Sequence, residues 1–141
     1  MTTSKELEGA GIKIRYLVDG EASRGLGMFE MTVQPGARVP PPHSHTETEE
    51  CVYVLEGTLS YRVEQETRNL GPGDLMVTPK GQVHYFTNTS TVPVRALIIM
   101  TPDIGFGYFR EMFEIFGAGG PPDMARVQRV MNQYKVVSAR P

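Results

Sequence analysis

Residues 36–57, GARVPPPHSHTETEECVYVLEG, and residues 73–88, GDLMVTPKGQVHYFTN, decide how this chain is read. Together they hold all three histidines of the sequence, His43, His45 and His84. Only Ser44 separates the first two. On a strand this spacing turns both imidazoles to one face, with Cα atoms roughly 6–7 Å apart, so that they can converge on one metal ion. Glu50 lies five residues beyond His45 and enters the apolar run Cys51–Glu56, which reads as a strand. His84 opens another strand, Val83–Thr87, just past the turn Pro79-Lys80-Gly81-Gln82. Three neutral imidazoles and a carboxylate suit a divalent first-row metal (Fe, Mn, Ni, Cu or Zn) and leave positions open for water, oxygen or a chelating substrate. With one carboxylate such a centre keeps positive charge and favours an anionic oxygen ligand.

Working outward, short strands recur. Ile12, Ile14, Tyr16 and Val18 alternate with Lys13 and Arg15, and Met28–Gln34 ends at Pro35-Gly36. Arg38–Pro42 has three consecutive prolines without ladder donors, so it is an extended edge or loop. Cys51–Glu56 and Thr58–Glu64 flank Gly57 as a hairpin, with Leu59, Tyr61 and Val63 on one face of the second arm. Leu75–Thr78 follows a turn at Gly71–Asp74, and Val92–Met100 closes the series. Seven or eight such strands, with no helix of about 10–15 residues between them, predict an all-β sandwich or barrel over about residues 12–101. After Pro102 the period changes. Phe109, Met112, Phe113 and Phe116 mark one face of a helix, and Asp123 is placed to cap a second helix through Tyr134, with Met124, Val127, Met131 and Tyr134 as its stripe. The expectation is one domain, 1–141, whose β barrel carries a C-terminal helical extension of two short helices at about 105–135.

Composition narrows the partners. The 15 Gly and 11 Pro among 141 residues describe a loop-rich globular chain. A net charge of −2 offers no basic surface for nucleic acid or an anionic membrane. One cysteine excludes an internal disulfide framework and Cys-rich zinc clusters. Cys51 points away from Glu50 and reads as a small core hydrophobe. Met1–Glu6 leads into no long apolar run, and the longest apolar stretch, Ala96–Met100, is far short of a membrane span, so a cytoplasmic protein is expected.

Spacing then brings in a family. Gly36, six residues, His43-Ser44-His45, four residues, Glu50, six residues and Gly57 resemble the first cupin motif. Gly73, five residues, Pro79-Lys80-Gly81, two residues, His84, three residues and Asn88 resemble the second. The first motif's opening loop is one residue longer than usual, through Pro40–Pro42. The resemblance implies a jelly-roll barrel binding one divalent transition metal through His43, His45, Glu50 and His84. In the run Glu47-Thr48-Glu49-Glu50, Glu49 competes for the ligand position, but strand parity lets only one of Glu49 and Glu50 face inward. Glu50 keeps the motif's spacing to Gly57. The resemblance further implies a small-molecule substrate, a homodimer and, in the quercetin-dioxygenase-like branch, an oxygenase acting on an enolic or aromatic molecule with Glu50 as general base. A redox-neutral cyclase, isomerase or lyase and a non-catalytic binding protein are the alternatives. Val52, Val54 and Phe86 share strand parity with the ligands and are expected to line an apolar pocket. The cations near the motifs are few, Arg38, Lys80 and Arg95, which disfavours sugar phosphates.

Overall fold

Alternation along each strand becomes the inside and outside of two packed sheets. In the computed structural model, which describes residues 5–139, the order is β1 (Lys5–Gly9), β2 (Ile12–Val18), β3 (Gly27–Val33), β4 (His43–His45), β5 (Glu49–Glu56), β6 (Leu59–Val63), β7 (Glu66–Leu70), β8 (Leu75–Thr78), β9 (His84–Thr87), β10 (Val94–Thr101), α1 (Phe106–Gly117), α2 (Met124–Gln133) and β11 (Val136–Ser138). One sheet runs β1-β2-β3-β10-β5-β8 and the other β11-β4-β9-β6-β7, with every recorded pairing antiparallel. This is the expected β barrel with two helices appended.

The core lies between the sheets. Val33, Val52, Val54, Leu59, Val94 and Ala96 are fully buried there, and each large side chain so enclosed contributes roughly 1.5–3 kcal/mol relative to exposure. Gly57 turns β5 into β6 at φ 80°, and a Cβ there would stand 2.6 Å from the Pro93 carbonyl oxygen. Only glycine fits both demands. Asn88, from the second motif, staples the loop after β9 by donating to the carbonyls of Val33 and Val92 while accepting from Ser90.

Several expectations need correction. Val18 is 43% exposed, because a register shift between Tyr16 and Val18 breaks the alternation of β2. Cys51 sits half-buried on the outer face of its sheet, in register with Val77 and Ile99, rather than in the core. Burial and the charges of Glu50 and Glu49 push its thiol pKa up, which keeps it unreactive. Three strands carry too little apolar pattern to be read: β1 and β7 are mostly exposed and polar, and β11 has three residues.

Helix α1 packs on the β1–β3 part of the first sheet, and α2 packs on α1 and against β11 of the second. Phe106 and Phe109 of α1 pack on Tyr16 and Phe29, with centroid distances of 5.1–6.1 Å where the helix meets the strands. Ile115 is buried, whereas Phe116 is half-exposed, so the expected stripe is displaced towards Phe106. Asp123 caps α2 as anticipated, accepting from the Arg126 N–H at 3.1 Å. Met124 is exposed, and Val127, Val130 and Met131 make the buried face.

Candidate metal centre

β4 is a strand of three residues, and its period of two turns His43 and His45 to the same side. Across the sheet His43 stands directly opposite His84 on β9. The three rings gather with centroids 4.3–5.2 Å apart, and one ring nitrogen from each lies within 4.8 Å of the others. Glu50 comes from the opposing sheet. It is buried, while Glu49 is exposed, so parity resolves the acidic run in favour of Glu50. Its Oε2 lies 3.4 Å from His84 Nε2 and its Oε1 lies 4.0 Å from His45 Nε2. The four residues picked from the sequence therefore meet in one buried place, with the carboxylate on the His84 and His45 side of the trio.

Burial sets the protonation. Desolvation and neighbouring imidazoles pull His43 down to about 4 and His45 well below the usual histidine range, and desolvation takes His84 to about 4. All three rings are neutral at pH 7 and keep a lone pair for a cation. Desolvation raises the Glu50 pKa, against the opposing pull of His43 and of the hydrogen bond from Tyr61. His43 Nδ1 lies 2.9 Å from the Pro41 carbonyl oxygen. That contact places the ring proton on Nδ1 and leaves the Nε2 lone pair free for a cation. The Nδ1 atoms of His45 and His84 are buried without a hydrogen-bond partner among the described residues, a cost of about 1–3 kcal/mol each. The Nε2 atoms of His45 and His84 face the Glu50 carboxylate, so a cation held by these rings and that carboxylate would bind on the Nε2 side. The donor set thus fits a divalent metal ion.

Two partners of Glu50 escape the motif reading. The Tyr61 hydroxyl donates to Glu50 Oε2 at 3.1 Å and lies 3.0 Å from Thr78 Oγ1. Thr78 pairs in register with Glu50 between β8 and β5. Tyr61 did leave a signal, since it shares the inward face of its strand with Leu59 and Val63. A hydroxyl among core residues is expected to have a partner.

Val52 and Val54 are fully buried in the core on the Glu50 face, and Phe86 packs half-buried on the His84 face. Two surface grooves lie apart from them. One of about 400 Å³ runs along β7 and β8 past Arg68 and Leu75, and one of about 220 Å³ lies between Arg24, Glu47, Asp103 and Tyr134. Arg95 faces outward in ion pairs with Glu56 and Glu30, and Arg38 and Lys80 are exposed. Among the described residues no helix is long and apolar enough to cross a membrane.

Fold and site together define a double-sheet β barrel with an internal three-histidine cluster able to hold a metal ion. The Cupin domain pattern matches residues 29–100, about half of the chain, and the chain belongs to the cupin family. It is 31% identical over 85 residues to germin-like protein subfamily T member 3 of Arabidopsis thaliana, covering 57% of this chain and 37% of that protein. The chain spans less than half the length of curated relatives it matches, 37% and 35% for two of them. Among solved structures, KdgF from Halomonas sp. shares the fold with a TM-score of 0.62 at 24% identity, covering 72% of this chain and 87% of that one. A cupin-superfamily sugar phosphate isomerase from Silicibacter pomeroyi aligns with a TM-score of 0.56 at 28% identity, covering 70% of this chain and 68% of that one.

Proposed function

We propose that this cupin is a metal-dependent enzyme acting on a small enolic or aromatic molecule, of the oxygenase type. The observation that carries this reading is the meeting of three neutral imidazoles and one buried carboxylate from both sheets. His43, His45, His84 and Glu50 would hold the ion, which when bound supplies Lewis acidity or redox capacity to an oxygen ligand. The chain's own residues do the rest. The Pro41 carbonyl fixes the His43 tautomer, and Tyr61, whose hydroxyl is also held by Thr78, aims Glu50. Glu50, whose pKa burial raises, is suited to take a proton at a carboxylate oxygen from an enol or phenol and to keep it away from water. Val52, Val54 and Phe86 on the same faces give the interior an apolar character that suits such a molecule. A cytoplasmic homodimer remains part of the proposal.

A redox-neutral reaction is the second reading, supported by the alignment with a protein described as a sugar phosphate isomerase. The outward engagement of Arg95 and the exposure of Arg38 and Lys80 weigh against a phosphorylated substrate for this chain. The deciding experiment measures metal content by elemental analysis in wild type and His84→Ala, then oxygen uptake with enolic and phenolic substrates. About one redox-active ion per chain, lost in the variant, with substrate-dependent oxygen uptake supports the oxygenase. Turnover without oxygen consumption transfers the assignment to the redox-neutral reaction. A chain that takes up no added metal overturns both and leaves a binding protein.

A further inference from the structure

The strand that carries two of the proposed ligands is poorly held by its neighbour in the barrel. β4 shares one registered pair with β9, His43 with His84, and the His45 carbonyl accepts from the Gly81 N–H at 2.8 Å. Its other edge is covered by β11, reached only after both helices. There the register is His45 with Val136, Ser44 with Val137 and His43 with Ser138. Backbone bonds extend the ladder at both ends, from the Thr46 N–H to the Lys135 carbonyl and from the Ala139 N–H to the Pro42 carbonyl, each 3.0 Å.

The alternation of an antiparallel ladder gives each pair a role. Bonds at Thr46–Lys135 and Pro42–Ala139 place Ser44–Val137 at the hydrogen-bonded position between them. His45–Val136 and His43–Ser138 then fall at non-hydrogen-bonded positions, where facing side chains approach most closely. Val136, 2% exposed, therefore stands beside His45, and Ser138 stands beside His43. The last bond of the ladder also anchors Pro42, next to the Pro41 carbonyl that holds the His43 ring.

We propose that β11 is the positioning element of the metal centre: its docking holds His43 and His45 in ligating geometry, so that docking and metal binding reinforce each other. This rests on the metal-centre reading above. Val137 supplies a clean test, since its side chain is 52% exposed while its N–H sits in the ladder. Val137→Pro removes that N–H and leaves the core untouched, and Val137→Thr keeps it. Zinc and manganese affinities are measured by chelator competition, and backbone hydrogen exchange is followed in the metal-free proteins.

Val137→Pro is expected to bind either ion about 10–100-fold more weakly, the range for loss of a group that orients ligands. Val137→Thr should match wild type. In the metal-free Pro variant the Ser44 and Thr46 amides should exchange faster. Linkage requires the converse, so saturating zinc should slow exchange at Val137 and Ala139 in wild type. Unchanged affinity in Val137→Pro, or unchanged protection of Ser44 and Thr46, overturns the proposal. If that variant does not fold, zinc-linked protection of the wild-type strand decides: slowing supports the proposal and no change overturns it. A wild type that binds neither ion would sink the metal-centre reading and the linkage with it, while the metal-free exchange comparison would still report whether β11 holds β4.

Discussion

Replacing Tyr61 by Phe removes one hydroxyl from the interior and keeps the ring that fills it. The side chain is 2% exposed, and its hydroxyl is shared between Glu50 Oε2 at 3.1 Å and Thr78 Oγ1 at 3.0 Å. A hydrogen bond to a carboxylate contributes about 1.5–3 kcal/mol, and a buried acceptor left without a partner costs about 1–3 kcal/mol. Removing the tyrosine's own buried polar atom returns part of this. A net loss of about 2–3 kcal/mol follows for the metal-free protein. For a chain of this size that corresponds to a fall in Tm of roughly 6–15 °C. Glu50 would also lose the donor that aims it, so metal affinity should drop about 10–100-fold, the effect seen when a ligand's orienting partner is removed. Thermal unfolding followed by circular dichroism gives the first number and chelator competition the second. A variant within about 0.5 kcal/mol of wild type, a change typical of inert surface sites, and with undiminished metal affinity would refute the idea that Tyr61 positions Glu50.

Acid should destabilise the metal-free protein earlier than its carboxylates alone require. His43 and His84 have folded pKa values near 4, below the 6.5 of an unfolded histidine, so the unfolded chain takes up protons that the folded one refuses. Their contribution is present above about pH 6.5 and lost as pH falls towards 4, about 2 kcal/mol at pH 5 for a ring that titrates independently. Glu50, with a raised pKa, works in the opposite sense: its contribution is present below the unfolded value and is lost as pH rises through the folded one. Urea unfolding at pH 7.5 and pH 5 measures the balance, and equal stability at both would count against three buried neutral rings. Glu50→Gln should abolish or severely weaken metal binding, at no cost to metal-free stability because a buried charge is removed, while the exposed Glu49→Gln should leave both unchanged; calorimetric titration of the two variants separates them. Asp123→Ala removes the acceptor for the Arg126 N–H and should cost about 0.5–2 kcal/mol, read by chemical denaturation.

Strand periodicity alone sufficed to read the barrel and to pick out side chains that gather at the candidate site. A strand's side chains alternate with period two, so Leu59, Tyr61 and Val63 announced an inner face, and His43 and His45 had to share one. The same parity chose Glu50 over Glu49. Cap chemistry is equally local, which is why Asp123 could be assigned as the start of α2. Strands without an apolar pattern stayed hidden. β1 and β7 are held by hairpin partners, and β11 is held by β4, whose ladder is made of backbone groups that every residue carries. The displacement of the α1 stripe towards Phe106 was decided by Tyr16 and Phe29, which meet Phe106 and Phe109 in the helix's first turn although they are far from it in sequence. Tyr61 as the partner of Glu50, and β11 as the support of the histidine strand, depend on which strands become neighbours. Periodicity states which way a side chain points, and only the packed sheets decide what it meets there.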